Sequence, residues 1–381
     1  MDIYLDAAST TKVKPEVVEV MLPYFTEQYY NPSSLYSPAT KIKEDIERAR
    51  KIVGNFIGAN GNEIYFCSGG SEANCLAIGG FCHRHNLNNT KPVVITSTIE
   101  HKSVMECVKN MIADVYYISV DNNGLIKLDD FAKLLTNVCL WGKPLLVSFQ
   151  LVNNELGTIQ RIKNVSEMLR QVGGLLHVDA VQGLGQIPIN VNELGVDMLS
   201  ASGHKLGAPK GIGFLYKRNG IDISPLIYGS QMEGLRGGTE NVSGIIGMAK
   251  AVELCNVNDE DKIREMQSKR DYFIGCLEYK FGCKLNGHPT ERLPNNINVT
   301  FPQNINGESL LYMLDMSGVA ISTGSACNSK SIQPSYVLKE IGLSNDEAMR
   351  TIRISLPNDI TYEQIDCVIG EIDKAIKLIE T

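Results

Sequence analysis

Three short apolar runs, Val93-Val94-Ile95-Thr96-Ser97, Leu145-Leu146-Val147-Ser148-Phe149 and Leu175-Leu176-His177-Val178-Asp179, constrain this chain more than any other feature. They are continuous rather than alternating, as in strands buried on both faces. Helical patterns separate them, for example Ile42, Ile46, Ala49, Val53 and Phe56 on one face of a charged stretch, and a helix over 164–172. Alternation of this kind predicts an α/β fold whose sheet is largely parallel and covered on both faces, with ligands at the C-terminal ends of the strands. Glu63–Cys67 and Ile212–Tyr216 read as further strands, and Pro15 suits the first turn of a helix.

The polar stretch Asn256–Asp261 marks a composition shift, and helical spacing resumes through Ile263, Met266, Phe273, Ile274, Leu277 and Phe281. Beyond it, a strand at Ile297–Phe301, a helix at 307–316 and strands near Val319 and Ile352 read as a smaller α+β domain. The expected division is a large domain over 15–256 and a small one made of 1–14 and 257–381. A chain of 381 residues is long enough for two cores.

Composition narrows the function. A net charge of −7 argues against direct nucleic-acid binding as the main task. No apolar stretch approaches a membrane span, and the first residues lack a signal peptide, so a cytoplasmic protein without membrane contact is expected. Ten cysteines without Cys-x-x-Cys spacing indicate neither a metal site nor a redox pair. Most should be free and buried, as Cys75 and Cys82 would be on the apolar side of a helix.

The chemistry-bearing residues cluster where strands end. In Ser200-Ala201-Ser202-Gly203-His204-Lys205-Leu206-Gly207, Lys205 is hemmed in by small and hydroxyl residues. It is either a solvated lysine on a surface turn or a desolvated amine able to form a Schiff base. Asp179, at the end of its strand, either caps a following helix or pairs with that lysine. Pyridoxal phosphate (PLP) needs such a pair, a lysine for its aldehyde and a carboxylate for its pyridine nitrogen. Ser68-Gly69-Gly70-Ser71 opens a helix and could cradle an anion or be merely a tight turn. The same choice applies to Arg236-Gly237-Gly238-Thr239. His101 lies just past a strand, Asn153-Asn154 reads as turn chemistry, and Arg353 alternates with Ile352 and Ile354, away from their apolar side. Cys327 sits in Ser322–Ser331, a stretch with nothing to pack against, and is either an incidental exposed thiol or a mobile nucleophile.

On these motifs the chain resembles the fold-type I PLP enzymes, and within them the group I cysteine desulfurases of the nitrogen-fixation and iron–sulfur-assembly type. The likeness runs from Tyr4-Leu5-Asp6 to about Ile369, and Ser-Thr-Gly-Ser-Ala-Cys closely matches that group's cysteine loop. It implies a large domain with a mainly parallel seven-stranded sheet plus a smaller α+β domain. It also assigns roles: Lys205 carries PLP, Asp179 faces the ring nitrogen, and His101 stacks on the ring and shuttles the thiol proton. Asn154 and Gln182 lie near the ring oxygen, and Gly70, Ser71, Ser202 and His204 hold the cofactor with Thr239, which would come from the partner of a homodimer. Asn31 and Arg353 bind the substrate carboxylate, and Cys327 is the nucleophile. Relatives usually carry a larger polar residue at Ala7, Ala-Thr at Gly70-Ser71, and often a His at Ser37.

The implied reaction converts L-cysteine to L-alanine and leaves a persulfide on Cys327. A sulfur-acceptor protein would take it, either an iron–sulfur scaffold or a tRNA-thiolating enzyme. The competing expectations are another class-V PLP enzyme (a selenocysteine lyase or an aminotransferase not using Cys327) and a non-catalytic scaffold.

Overall fold

A computed structural model describes residues 3–302, 305–323 and 333–379. Its strands are β1 (Ile3–Tyr4), β2 (Ile64–Cys67), β3 (Val93–Ser97), β4 (Asp114–Ile118), β5 (Leu145–Gln150), β6 (Leu175–Asp179), β7 (Met198–Ser202), β8 (Gly213–Lys217), β9 (Lys284–Leu285), β10 (Asn296–Thr300), β11 (Val319–Ala320) and β12 (Thr351–Ser355). Seven of them form one sheet in the order β2-β8-β7-β6-β5-β3-β4. The pairs from β7 through β4 are parallel, and β8 runs antiparallel to both neighbours. The connection from β7 to β8 is too short for a crossover, which dictates that reversal.

The three apolar runs are β3, β5 and β6, and β3 and β5 are buried along their whole length. Helices cover both faces, among them Ser37–Phe56, Gly70–Leu87, Lys102–Lys109 and Val242–Glu253. The helix expected over 164–172 spans Ile162–Arg170. Because β2, β3, β5, β6 and β7 point the same way, the turns that follow them share one edge. Those turns carry Gly70, His101, Asn154, Gln182 and Lys205.

A separate hydrophobic cluster unites Ile3 and Leu5 with Phe273, Leu277, Ile297, Val299, Ile352, Ile354, Ile365 and Val368. Its sheet has the order β12-β10-β9, and β1 pairs with β11 beside it. The N-terminal residues therefore pack with the C-terminal third of the chain. A bridge from Asp6 to Ser355 ties this segment to the small sheet, and the Thr11 N–H then donates to the His204 carbonyl, in the turn after β7 of the large sheet.

Candidate active site

Asp179 ends β6 and is 5% exposed. Its Oδ2 accepts from Asn74 Nδ2 at 2.7 Å and its Oδ1 from the Val181 N–H at 3.0 Å. The same Asn74 amide donates its other proton to Ser103 Oγ at 2.9 Å. Ser103 Oγ in turn lies 2.8 Å from His101 Nδ1, which also accepts from the Ser103 N–H at 3.1 Å. With Nδ1 acting as acceptor, the proton of neutral His101 sits on Nε2. Protein packed around the ring lowers the imidazole's pKa; Asp179 opposes that, and Lys205 and Lys102 add to it. One amide thus links the carboxylate to the histidine. Sequence reasoning missed Asn74 and Ser103, although a polar residue among the apolar positions of the Gly70 helix was a usable signal.

Beneath Asp179 lies His177, fully buried between Ser148 Oγ and Ser200 Oγ at 2.8 Å each. Burial pushes its pKa down to about 3. It is a neutral, satisfied core histidine that fixes three adjacent strands.

Lys205 projects from the turn after β7, and its Nζ donates to the carbonyls of Ala8 at 2.6 Å and Ser9 at 2.5 Å. Gln182 Nε2 donates to that same Ala8 carbonyl at 2.9 Å. His204 Nδ1 lies 3.1 Å from Thr10 Oγ1, and burial, with Lys205 and Lys210 nearby, takes its pKa down to about 4. Four candidate side chains therefore meet the N-terminal segment Asp6–Thr10, which the resemblance assigns to the substrate entrance. Arg353 is the fourth: its Nη2 donates to Asp6 Oδ1 at 2.7 Å and its Nη1 to the Asn154 carbonyl at 3.0 Å. It is 6% exposed, not a solvated edge residue, because the Asn154 loop and Asp6 cover the face of β12 that its alternation pattern left open. Its buried Nε has no hydrogen-bond partner among the described residues.

The paired asparagines divide their work. Asn153 spends Oδ1 on the N–H groups of Glu155 and Leu156 at 2.9 and 2.8 Å, as turn chemistry requires, and Asn154 is left half-buried beside Arg353. Gly70 starts its helix where an added Cβ would lie 2.5 Å from Val181 Cγ2 and 3.4 Å from Ser202 Cβ. A side chain here would displace the Val181 methyl, and the first-turn N–H groups of Gly70 and Ser71 have no helical partner. Arg236 Nε is bonded to Glu72 Oε1 at 2.9 Å, drawing the Thr239 loop to that helix start. There exposed Thr239 lines a cavity of 180 Å³ with Cys67, Ser68 and Asn241 of its own chain. Asn31 is exposed, and its Oδ1 accepts from the Ser33 N–H at 2.9 Å within its own turn. Cys82 is buried as expected, and Cys75 is half-buried. Cys327 lies outside the described residues.

A lysine, a buried carboxylate, a histidine and an arginine thus converge on one edge of a seven-stranded sheet. The aminotransferase class-V family model matches residues 3–368. The chain belongs to this family. Within it, the chain is 41% identical over 379 residues to the cysteine desulfurase IscS of Methanosarcina thermophila, covering 98% of this chain and 92% of that one. It is also 41% identical to the IscS of Dictyoglomus turgidum, covering 100% and 96%. Among solved structures, a NifS-like protein superposes with a TM-score of 0.90 at 33% identity, over 99% of this chain and 100% of that one. SspA in complex with cysteine does so with a TM-score of 0.80 at 35% identity, over 93% and 99%.

Class-V aminotransferases depend on PLP, and the residues here fit it. A buried carboxylate held by neutral donors is costly unless a cation faces it, and a protonated ring nitrogen is such a cation. The glycine-lined helix start offers N–H groups suited to a phosphate.

Proposed function

We propose that this protein is a PLP-dependent cysteine desulfurase, releasing L-alanine from L-cysteine and passing the sulfur to Cys327 as a persulfide. The convergence of Lys205, Asp179, His101 and Arg353 carries the reading, supported by similarity to cysteine desulfurases along nearly the whole chain.

In this reading Gly70 and Ser71, with Thr239 of a partner subunit, would hold the cofactor's phosphate, Ser202 and His204 would also bind the cofactor, and Asn154 and Gln182 would serve its ring oxygen. When bound, PLP withdraws electrons from the substrate's Cα. Asp179, kept in place by Asn74, holds the proton at the ring nitrogen. Lys205 Nζ takes the Cα proton of L-cysteine. Arg353 binds the substrate carboxylate with the N–H groups that its two internal contacts leave over, a task suited to a planar guanidinium, and Asn31 assists. His101, proton on Nε2, exchanges a proton with the substrate thiol. The Cys327 thiolate attacks the substrate sulfur: an S–S bond forms, the C–S bond breaks, and its electron pair stays on the carbon skeleton that leaves as alanine.

A homodimer in the cytoplasm is part of the reading. Exposed Phe25, Tyr29, Leu35 and Tyr36 flank Asn31 and offer an apolar surface to a second copy. No helix among the described residues is long and apolar enough to cross a membrane. The sulfur acceptor is a protein, either an iron–sulfur scaffold or a tRNA-thiolating enzyme.

The test is alanine and sulfide production from L-cysteine with a thiol reductant. Cys327→Ser should lower turnover by about a thousandfold or more, as loss of a nucleophile does, and leave the cofactor's visible absorption intact. Undiminished alanine formation in that variant would instead favour a lyase or aminotransferase that does not use the thiol.

A further inference from the structure

Glu155 follows Asn154 in the loop after β5, and its side chain is buried. Its Oε2 accepts a hydrogen bond from Ser335 Oγ at 2.6 Å. Ser335 caps the short helix Tyr336–Glu340, its Oγ accepting from the N–H groups of Val337 at 3.1 Å and Leu338 at 3.4 Å. A hydroxyl has one proton and two lone pairs, so this one is fully used. The Glu155 carbonyl accepts from Asn298 Nδ2 at 3.2 Å and Asn296 Nδ2 at 3.4 Å, both on β10. Glu155 therefore joins the large sheet's site loop, the small sheet and the start of the Tyr336 helix. Beside it, the Tyr336 hydroxyl donates to the Glu100 carbonyl, next to His101.

The other end of the same chain segment is anchored nearby. Ser322 pairs with Arg353 through two backbone hydrogen bonds, of 3.0 and 2.6 Å, and Arg353 Nη1 reaches the Asn154 carbonyl. Both feet of the Ser322–Ser335 stretch thus stand on one patch made by Arg353 and the Asn154–Glu155 loop. Cys327 lies between those feet in the sequence. Fixing the ends of a tether raises the effective concentration of the group it carries. Burial pushes the Glu155 carboxyl up to about 7, against the Ser335 hydrogen bond and the positive charges of Arg353 and Lys102. Such a carboxylate is an expensive fastening for a turn that an apolar contact could hold.

We propose that Glu155 is a positioning residue for sulfur transfer, holding through Ser335 the C-terminal foot of the segment that bears Cys327. The inference rests on the desulfurase reading. It is tested on the PLP-loaded enzyme with Glu155→Ala, Ser335→Gly, the double variant and Glu155→Gln. Glycine is tolerated at a helix N-cap, so Ser335→Gly carries the test alone if Glu155→Ala does not fold. Both single variants should lower kcat for alanine formation about tenfold, with KM for L-cysteine within about twofold of wild type because Arg353 keeps its contacts. The double variant should be no slower than either single one. Glu155→Gln, whose amide oxygen accepts the same hydrogen bond, should recover to within about threefold of wild type. Wild-type kcat in the single variants, additive losses, or a parallel loss of cofactor absorption and rise in KM would each overturn the proposal. A wild-type enzyme that makes no alanine from cysteine would sink the desulfurase reading instead.

Discussion

On the β6 side of the site, Asp179, Asn74, Ser103 and His101 form a run of hydrogen bonds among groups fixed on strand ends and helix starts. On the β12 side, Arg353 and Lys205 are engaged by the N-terminal segment, through the Asp6 carboxylate and the Ala8 and Ser9 carbonyls. The first half is set before any ligand arrives, because its partners are the framework itself. The second is satisfied by groups of the same chemistry that a substrate carboxylate would present to Arg353. One half is preorganised, and the other must share or exchange partners when substrate binds.

The sharpest way to break that contrast is Asn74→Leu. It leaves Asp179 Oδ2 and Ser103 Oγ without their shared donor in a buried place, and a lost hydrogen bond to a buried charge costs about 2–3 kcal/mol. We expect kcat/KM for alanine formation from cysteine to fall about a hundredfold. The pH dependence of the cofactor's visible absorption should shift with it, since Asp179 loses its alignment. A loss under about threefold would mean that the Asp179–His101 connection does not matter to catalysis.

Much of the preorganised half was legible in the sequence, because continuous apolar runs announce buried strands and the polar residues ending them fall on one edge. Asp179 was visible for that reason, and so was Lys205, the one member of the exchanging half that follows a strand of the large sheet. The contacts of the exchanging half were not. Asp6 and Arg353 are nearly a chain length apart, and only the pairing of the N-terminal residues with the C-terminal sheet brings them together. Alternation placed Arg353 on the polar side of its strand, and nothing local says that a loop of the other sheet covers that side. Asn74 failed for a different reason: within one helix, a buried polar position looks like a flaw in an apolar face until its partner on β6 is known. Asn153 and Asn154 are indistinguishable in sequence, and the fold alone separates the turn-maker from its neighbour at Arg353.

The preorganised half extends to Glu100, which is fully buried beside His101 and bonded to Ser97 Oγ at 2.5 Å. Burial pushes its carboxyl up to about 8; the Ser97 and Gln150 hydrogen bonds oppose this and the Asp179 charge adds to it. In the unfolded chain the group titrates near its ordinary value of about 4.3. Between those values the folded state keeps a proton that the unfolded state has lost, so stability falls as pH rises through the window. Glu100→Gln removes that dependence. We expect the variant to be more stable than wild type by about 2 kcal/mol at pH 8, with a flatter profile of urea midpoints from pH 5 to 8. Midpoints that track wild type across this range would show that Glu100 is ionised in the fold and that a charge sits inside the preorganised half.

The smallest expected effect probes the exchanging half directly. If the Asp6 carboxylate competes with substrate for Arg353, Asp6→Asn keeps the shape of the contact and weakens its charge-assisted part. We expect KM for L-cysteine to fall about threefold, roughly 0.6 kcal/mol, with kcat within about twofold of wild type. Loss of a competitor strengthens ground-state binding, and nothing in this contact is made only in the transition state. A tenfold rise in KM would be the opposite lesson. Asp6 would then orient the guanidinium rather than compete for it, and the arginine side would be as preorganised as the aspartate side.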